Sequence, residues 1–251
     1  MRLENKTILV TGAGSGLGKA VCLKAAAEGA NLVLADINAE AIAKTAQEVE
    51  ALGRRALQCV VNVCDAESIQ NMIDKAVAEF GSIDGLVNSA GIFSSIPFLE
   101  MTEKDWDKMI NINLKGSFLC AQKYVAQRVA CGGKGSIVFL SSISGYIGFT
   151  RSAHYCASKG AVRQLSKAIA LEFGPQGIRS NVVAPGTIET PMNAWIMNDP
   201  EMYKNSVASI PLGRFGKAAE IADAICYLLS DEASYCTGSE LLVDGGQITH
   251  C

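Results

Sequence analysis

"TILVTGAGSGLGKAVCLKAAAEGA", residues 7–30, decides how this chain folds. It opens on a short apolar run, "TILV", and passes through the glycine-rich turn "TGAGSGLG" at Thr11–Gly18. It then continues as an amphipathic stretch of helix length over Leu17–Glu28. Strand, glycine turn and helix in this order lead to a helix N-terminus, where free N–H groups and partial positive charge favour a phosphate. Gly12, Gly16 and Gly18 let the backbone turn tightly and approach such a ligand, with Ser15 and Leu17 between them. A glycine turn alone is weak evidence, and its context strengthens it. The next apolar run, "NLVLAD", ends on Asp36, about 20 residues on, where a carboxylate accepts hydrogen bonds from an adenosine ribose. That carboxylate repels the 2′-phosphate of NADP. Neither Ser15 nor Ile37 supplies a cation to offset it, so the expected cofactor is NAD.

The alternation continues along the chain. Apolar runs of strand length recur at 55–63, 83–88, 136–142, 179–185 and 240–246, nearly unbroken as strands buried on both faces should be. Helical patterns lie between them over Ala39–Leu52, Ala66–Phe80, Thr102–Val129, Ala153–Phe173 and Ala218–Leu229. The expected architecture is α/β: one Rossmann-like domain over 1–251, a doubly wound parallel sheet of about seven strands with helices on both faces. Residues 186–216 are too long for a single strand-to-helix connection. Within them, 190–210 read as a lid over a site, or else as a static cap that sets Met192, Trp195, Ile196 and Met197 on the core.

With 251 residues and 49% hydrophobic composition the chain can bury a large core. A net charge of −3 offers no global positive field, so neither nucleic acid nor an anionic membrane is an expected partner. The nine cysteines are scattered without a C-x-x-C, and His154 and His250 are the only histidines, so no metal site is expected. Such cysteines read as reduced packing residues. The start of the chain lacks a signal-peptide core, and the expected location is cytoplasmic.

In "HYCASKG", residues 154–160, Tyr155 and Lys159 stand four apart and so share a helix face. Oxidation of an alcohol needs its hydroxyl proton removed, and a free tyrosine, with a pKa near ~10, is a poor base at neutral pH. A lysine ammonium beside the phenol would favour phenolate. Cys156 projects about 100° away on the helix and reads as packing. His154 is expected as a solvated first-turn residue, with a place in the substrate pocket as the alternative.

The order of motifs resembles the compact branch of the short-chain dehydrogenase/reductase family over the whole chain. Thr11–Gly18 is similar to its T-G-x-x-x-G-x-G turn, and "NSAG" at 88–91 to its N-N-A-G, with Ser89 in place of the second asparagine. "NINLKG" at 111–116, "SS" at 141–142, Tyr155-x-x-x-Lys159, "NVVAPG" at 181–186 and "DGG" at 244–246 follow in the family's order. The resemblance implies a catalytic set of Asn113, Ser142, Tyr155 and Lys159. Tyr155 is then the general acid/base, Ser142 the donor to the substrate oxygen, Lys159 also a ribose ligand, and Asn113 the anchor of a water in a proton relay. It places the adenine at Asn62 and Val63, where the family's usual aspartate is an asparagine, and the neighbouring ribose at Asn88, Ala90 and Gly91. It places the nicotinamide end by Pro185, Gly186, Ile188 and Thr190. It also implies a homotetramer.

The implied activity is NAD-dependent interconversion of a secondary alcohol and a ketone, with a small molecule as substrate. The alternatives are an NADPH-dependent 3-oxoacyl-thioester reductase and a catalytically silent dinucleotide-binding protein. For the substrate, Phe93, Ile143, Phe149, Met192, Trp195 and Met197 suggest an apolar pocket, whereas Ser94, Ser95, Ser144, Arg151 and His154 could serve a polyol.

Overall fold

The computed structural model describes residues 1–249; His250 and Cys251 lie outside the described residues. Seven strands form one parallel sheet in the order β3-β2-β1-β4-β5-β6-β9. They are β1 (Thr7–Thr11), β2 (Asn31–Asp36), β3 (Ala56–Val60), β4 (Gly85–Asn88), β5 (Gly135–Leu140), β6 (Ile178–Pro185) and β9 (Glu240–Val243). The chain winds outward from β1 to β3, then returns to lay β4 on the other side of β1. At that switch, Thr11 pairs in register with Ala35 on one side and Asn88 on the other. Connections leave in opposite directions here, which opens a crevice beyond the carboxyl ends of the strands.

Alternate side chains of each strand enter different cores. Ile8, Val10, Leu32, Leu34 and Val138 pack beneath α1 (Gly16–Ala27), α2 (Ala39–Ala51) and α9 (Ala218–Leu229). Leu9, Val33, Leu86, Ile137 and Phe139 pack beneath α3 (Ala66–Phe80), α5 (Gly116–Ala130) and α6 (Ala153–Phe173). Helices therefore cover both faces, as the unbroken apolar strands require. Tyr124 of α5 is fully buried, and its hydroxyl donates to the Asp84 carbonyl at 2.9 Å. The described cysteines are all free, and among the described residues no helix is long and apolar enough to cross a membrane.

Two segments depart from the sequence expectation. The single helix expected over 102–129 is interrupted: α4 (Glu103–Ile110) passes into a π-helical turn at Asn111–Lys115 before α5. The Asn113 side chain is drawn into the backbone of Ile92. Gly116 lies so close to Val63 that a Cβ would stand 2.8 Å from its Cγ2, and a widened turn accommodates both constraints. The long segment after β6 is not irregular. Between β7 (Ile188–Glu189) and β8 (Gly216–Lys217), which pair in parallel, it carries α7 (Ala194–Met197) and α8 (Pro200–Ala208). Asp199 caps α8, accepting from the backbone N–H groups of Glu201 and Met202 at 3.0 Å.

Candidate active site

The crevice at the β1/β4 switch is a cavity of about 500 Å³. Its phosphate end is built from backbone. Gly12 and Gly16 have φ of +69° and +52°, a region that favours glycine, and a Cβ on Gly18 would stand 2.1 Å from the Gly12 carbonyl oxygen. The first turn of α1 therefore sits directly on the glycine turn. Ser15, Gly16 and Leu17 line the cavity there. Thr11 ties the turn to the opposite strand, its hydroxyl accepting from the N–H groups of Ser89 and Ala90, each at 3.1 Å.

Asp36 closes this end. Its carboxylate accepts from Gly14 N–H and Asn38 N–H, both at 3.0 Å, which fixes it at the tip of β2 beside the exposed Ile37. Asn62 and Val63 line the same region, and the Asn62 side-chain oxygen already accepts from Cys64 N–H at 3.0 Å. Further along come Ala90 and Gly91, then Pro185, Gly186, Ile188 and Thr190. This glycine cradle, with one carboxylate and no cation beside it among the residues lining the cavity, fits a nicotinamide dinucleotide. When bound, that group supplies the hydride-accepting or hydride-donating carbon; the chain supplies binding, orientation and proton transfer.

The chemical end gathers Ser142, Tyr155 and Lys159. Ser142 follows β5 and caps a short 3₁₀ turn at Ile143–Gly145, its hydroxyl accepting from Ser144 N–H at 3.1 Å. Gly145 packs onto α6, where a Cβ would stand 2.9 Å from the Lys159 carbonyl, so turn and helix are held together. The Phe93 ring meets the Tyr155 ring edge-on, with centres 5.1 Å apart. Burial pushes the Tyr155 phenol up to about 12, and hydrogen bonding to Ser142 works in the opposite direction. Burial also pushes the Lys159 ammonium down to about 8. Its Nζ donates to the Leu140 carbonyl at 2.8 Å and stands 5.7 Å from the centre of the Tyr155 ring. Desolvation is the leading influence on both groups, and one donor of the ammonium is engaged at a strand end.

Two of the expected site residues stand behind the wall. Asn113 is buried, its Oδ1 accepting from Ile92 N–H at 2.9 Å and its Nδ2 donating to the Ile92 carbonyl at 3.0 Å. Asn88 is buried with neither amide atom paired. The expected substrate-side residues Phe93, Ser144, Phe149, Met192 and Trp195 do line the cavity, joined by Asn193 and Ile196; Met197 does not. His154 is not solvated as expected. It is fully buried outside the cavity lining, with Nε2 2.9 Å from the Ser94 hydroxyl. The carbonyl of Leu140 and the hydroxyl of Thr11 escaped the sequence reading. A backbone acceptor has no residue signature, and a threonine that begins a glycine motif is easily taken as part of the turn.

Comparisons with known proteins identify the family. A family model described as Enoyl-(Acyl carrier protein) reductase matches residues 12–247. A 3-oxoacyl-[acyl-carrier-protein] reductase of Thermotoga maritima is 43% identical over 99% of this chain and 100% of its own. A 2,5-dichloro-2,5-cyclohexadiene-1,4-diol dehydrogenase of Sphingobium indicum is 40% identical over 98% of this chain and 97% of its own. The crystal structure of a gluconate 5-dehydrogenase from Burkholderia cenocepacia, in complex with NADP and tartrate, superposes with a TM-score of 0.95. It is 32% identical and covers 100% of this chain and 98% of that one. Fold, family model and relatives converge: the chain belongs to the short-chain dehydrogenase/reductase family of oxidoreductases.

Proposed function

We propose that the protein is an NAD-dependent dehydrogenase that interconverts a secondary alcohol and a ketone, with Tyr155 as general acid/base. One observation carries this reading. A single cavity brings Ser142, Tyr155 and Lys159 together at one end and Asp36 at the other. Tyr155 gives its proton to the ketone oxygen in reduction and takes it back in oxidation. Ser142 donates to that oxygen as negative charge develops. Lys159 stabilises the phenolate and holds the nicotinamide ribose. Asn113 anchors the relay that restores the proton, and it does so from behind the wall through Ile92.

The second reading, an NADPH-dependent 3-oxoacyl-thioester reductase, is favoured by the Thermotoga relative. Asp36 opposes it, because a 2′-phosphate beside a carboxylate meets like charge with no cation to pair it. A silent dinucleotide-binding protein has no need of the Ser142–Tyr155–Lys159 grouping. The experiment compares two assays: a panel of secondary alcohols with NAD, and an acetoacetyl thioester with NADPH. Faster turnover of the alcohols supports the first reading, and the opposite ranking replaces it with the second. We further infer a homotetramer. The β9 edge is open, with Leu241 and Leu242 exposed, and such an edge calls for a partner. Light scattering at the monomer mass would reject it.

A further inference from the structure

On the dehydrogenase reading above, we propose that the substrate is a neutral, mainly hydrocarbon alcohol or ketone of ring size, carrying neither a carboxylate nor several hydroxyls. The cavity that holds Tyr155 and Ser142 is also lined by Phe93, Ile143, Phe149, Met192, Trp195 and Ile196, with Phe93 edge-on against the Tyr155 ring. The cavity of about 500 Å³ must also take the dinucleotide, so what remains at this end holds a small molecule.

The polar groups that could serve a charged or hydroxylated substrate are committed elsewhere. Among the described residues, Asp36 and Lys159 are the only charged ones that line the cavity, and Lys159 donates to the Leu140 carbonyl. Arg151, exposed and outside the lining, donates from Nε to the Ser95 hydroxyl at 3.2 Å. The Ser94 hydroxyl is bonded to the buried His154, whose pKa is lowered chiefly by desolvation. The Asn193 amide donates to the Ile188 carbonyl at 2.8 Å. Beyond the reacting groups, the polar side-chain atoms left toward this end among the described residues are the Ser144 and Thr190 hydroxyls and Asn193 Oδ1, none of them charged. An unpaired carboxylate placed here would lose its hydration and gain no counter-ion, and each unmatched hydroxyl would lose its hydrogen bonds to water. Of the residues the polyol alternative needs, Ser94, Ser95, Ser144, Arg151 and His154, only Ser144 lines the cavity, and the other four lie outside its lining. The structure instead uses them to bind residues 93–96 to the start of α6, a clamp completed by Ile96 N–H donating to the Arg151 carbonyl at 2.8 Å.

The test compares reduction of cyclohexanone, 4-oxocyclohexanecarboxylate and fructose by NADH. Binding of each ketone to the protein–NADH complex is measured in parallel by NADH fluorescence. Cyclohexanone should exceed both others in kcat/KM by at least about 100-fold, since unmatched buried polar groups discriminate strongly. Phe149→Arg, which sets a guanidinium into the wall, should raise turnover of the carboxylate at least about tenfold relative to cyclohexanone. Equal or better turnover of the acid or of fructose by the unaltered protein overturns the substrate class and leaves the dehydrogenase reading standing. If no ketone is reduced, that reading falls, and binding still decides this one: preference for cyclohexanone supports it, and no preference or no binding overturns it.

Discussion

Lys159 donates its ammonium proton to the carbonyl of Leu140 at 2.8 Å, at the end of the strand that also leads to Ser142. The cation is thus anchored to the sheet, and the phenol of Tyr155 stays protonated, pushed up to about 12 by burial. A protonated phenol is the form that ketone reduction needs; alcohol oxidation needs the phenolate. Ultraviolet difference titration of the ligand-free protein against Tyr155→Phe should therefore show no Tyr155 ionisation below pH ~11. A step near pH 10 or lower would contradict the burial argument. Tyr155→Phe should also lose more than nine-tenths of turnover, at least ~1.4 kcal/mol of barrier, while NADH still binds.

A buried ammonium is costly, and Lys159→Met should reveal it. The folded-state value of about 8 lies below the ordinary value of 10.5, so the unfolded chain binds more protons between those values. The penalty is therefore fully present below pH 8 and disappears as pH rises toward 10.5. The variant should be more stable than the parent at pH 7, by up to ~3 kcal/mol before the lost Leu140 bond is subtracted, and less advantaged at pH 10. Turnover should collapse in the same variant. Thermal denaturation at the two pH values measures the difference, and a variant destabilised equally at both would show that the Leu140 bond outweighs desolvation.

Asp36 sets cofactor choice in a way its hydrogen bonds make testable. Its carboxylate accepts from Gly14 and Asn38 as well as facing the cavity, so Asp36→Ala also loosens the glycine turn. The unaltered protein should prefer NAD over NADP by at least about tenfold in kcat/KM, on the order of 1.4 kcal/mol. Asp36→Ala with Ile37→Arg should erode or reverse that preference and weaken NAD as well. Equal use of both cofactors by the unaltered protein would refute the assignment.

Helix boundaries at Ala66–Phe80, Ala153–Phe173 and Ala218–Leu229 were legible in the sequence to the residue, because apolar periodicity and flanking breakers agree there. The interruption at Asn111–Lys115 was not. Its cause is a side-chain bond to Ile92, about 20 residues away in the chain, and local periodicity carries no such information. The glycine turn was legible from its place between strand and helix, with Asp36 at the end of the next strand. The bond from Lys159 to the Leu140 carbonyl was not legible, because spacing places two side chains on one helix face but says nothing of a strand-end carbonyl that also holds the ammonium. His154 was misplaced for a similar reason: its burial depends on residues 94–96 folding over it.

His154 therefore deserves a test as a positioning residue acting through Ser94. With Nε2 on the Ser94 hydroxyl and Phe93 against Tyr155, the ring braces the segment that forms one side of the pocket. Its Nδ1 is buried with no hydrogen-bond partner, so an apolar ring replaces it at moderate cost. His154→Phe should raise the ketone KM and lower kcat several-fold while leaving NADH affinity unchanged. Ser94→Ala should do the same, and the double variant should be no worse than either single one. Additive losses in the double variant would mean that His154 does not act through Ser94.

The segment 190–210 is rooted at both ends and sparsely packed between them. The β7–β8 ladder pairs Ile188 with Gly216 and Glu189 with Lys217, while α7 and α8 bury no residue fully. Trp195 remains 48% exposed although it lines the cavity, and Tyr203 against Phe215, with ring centres 4.8 Å apart, is the aromatic contact that holds α8 down. Helices with so little buried surface open at low cost, whereas the ladder beneath them stays closed. Backbone amides of 194–208 should therefore exchange quickly in the free protein and slow at least about tenfold with cofactor and substrate together, while those of α6 change little. Trp195→Ala should shift the ranking of ketone substrates with less than ~1 kcal/mol of lost stability, because the indole is half in solvent already. Exchange as slow as that of α6 in the free protein, or a Trp195→Ala variant that loses stability and keeps its substrate ranking, would make the segment a fixed cap on the core.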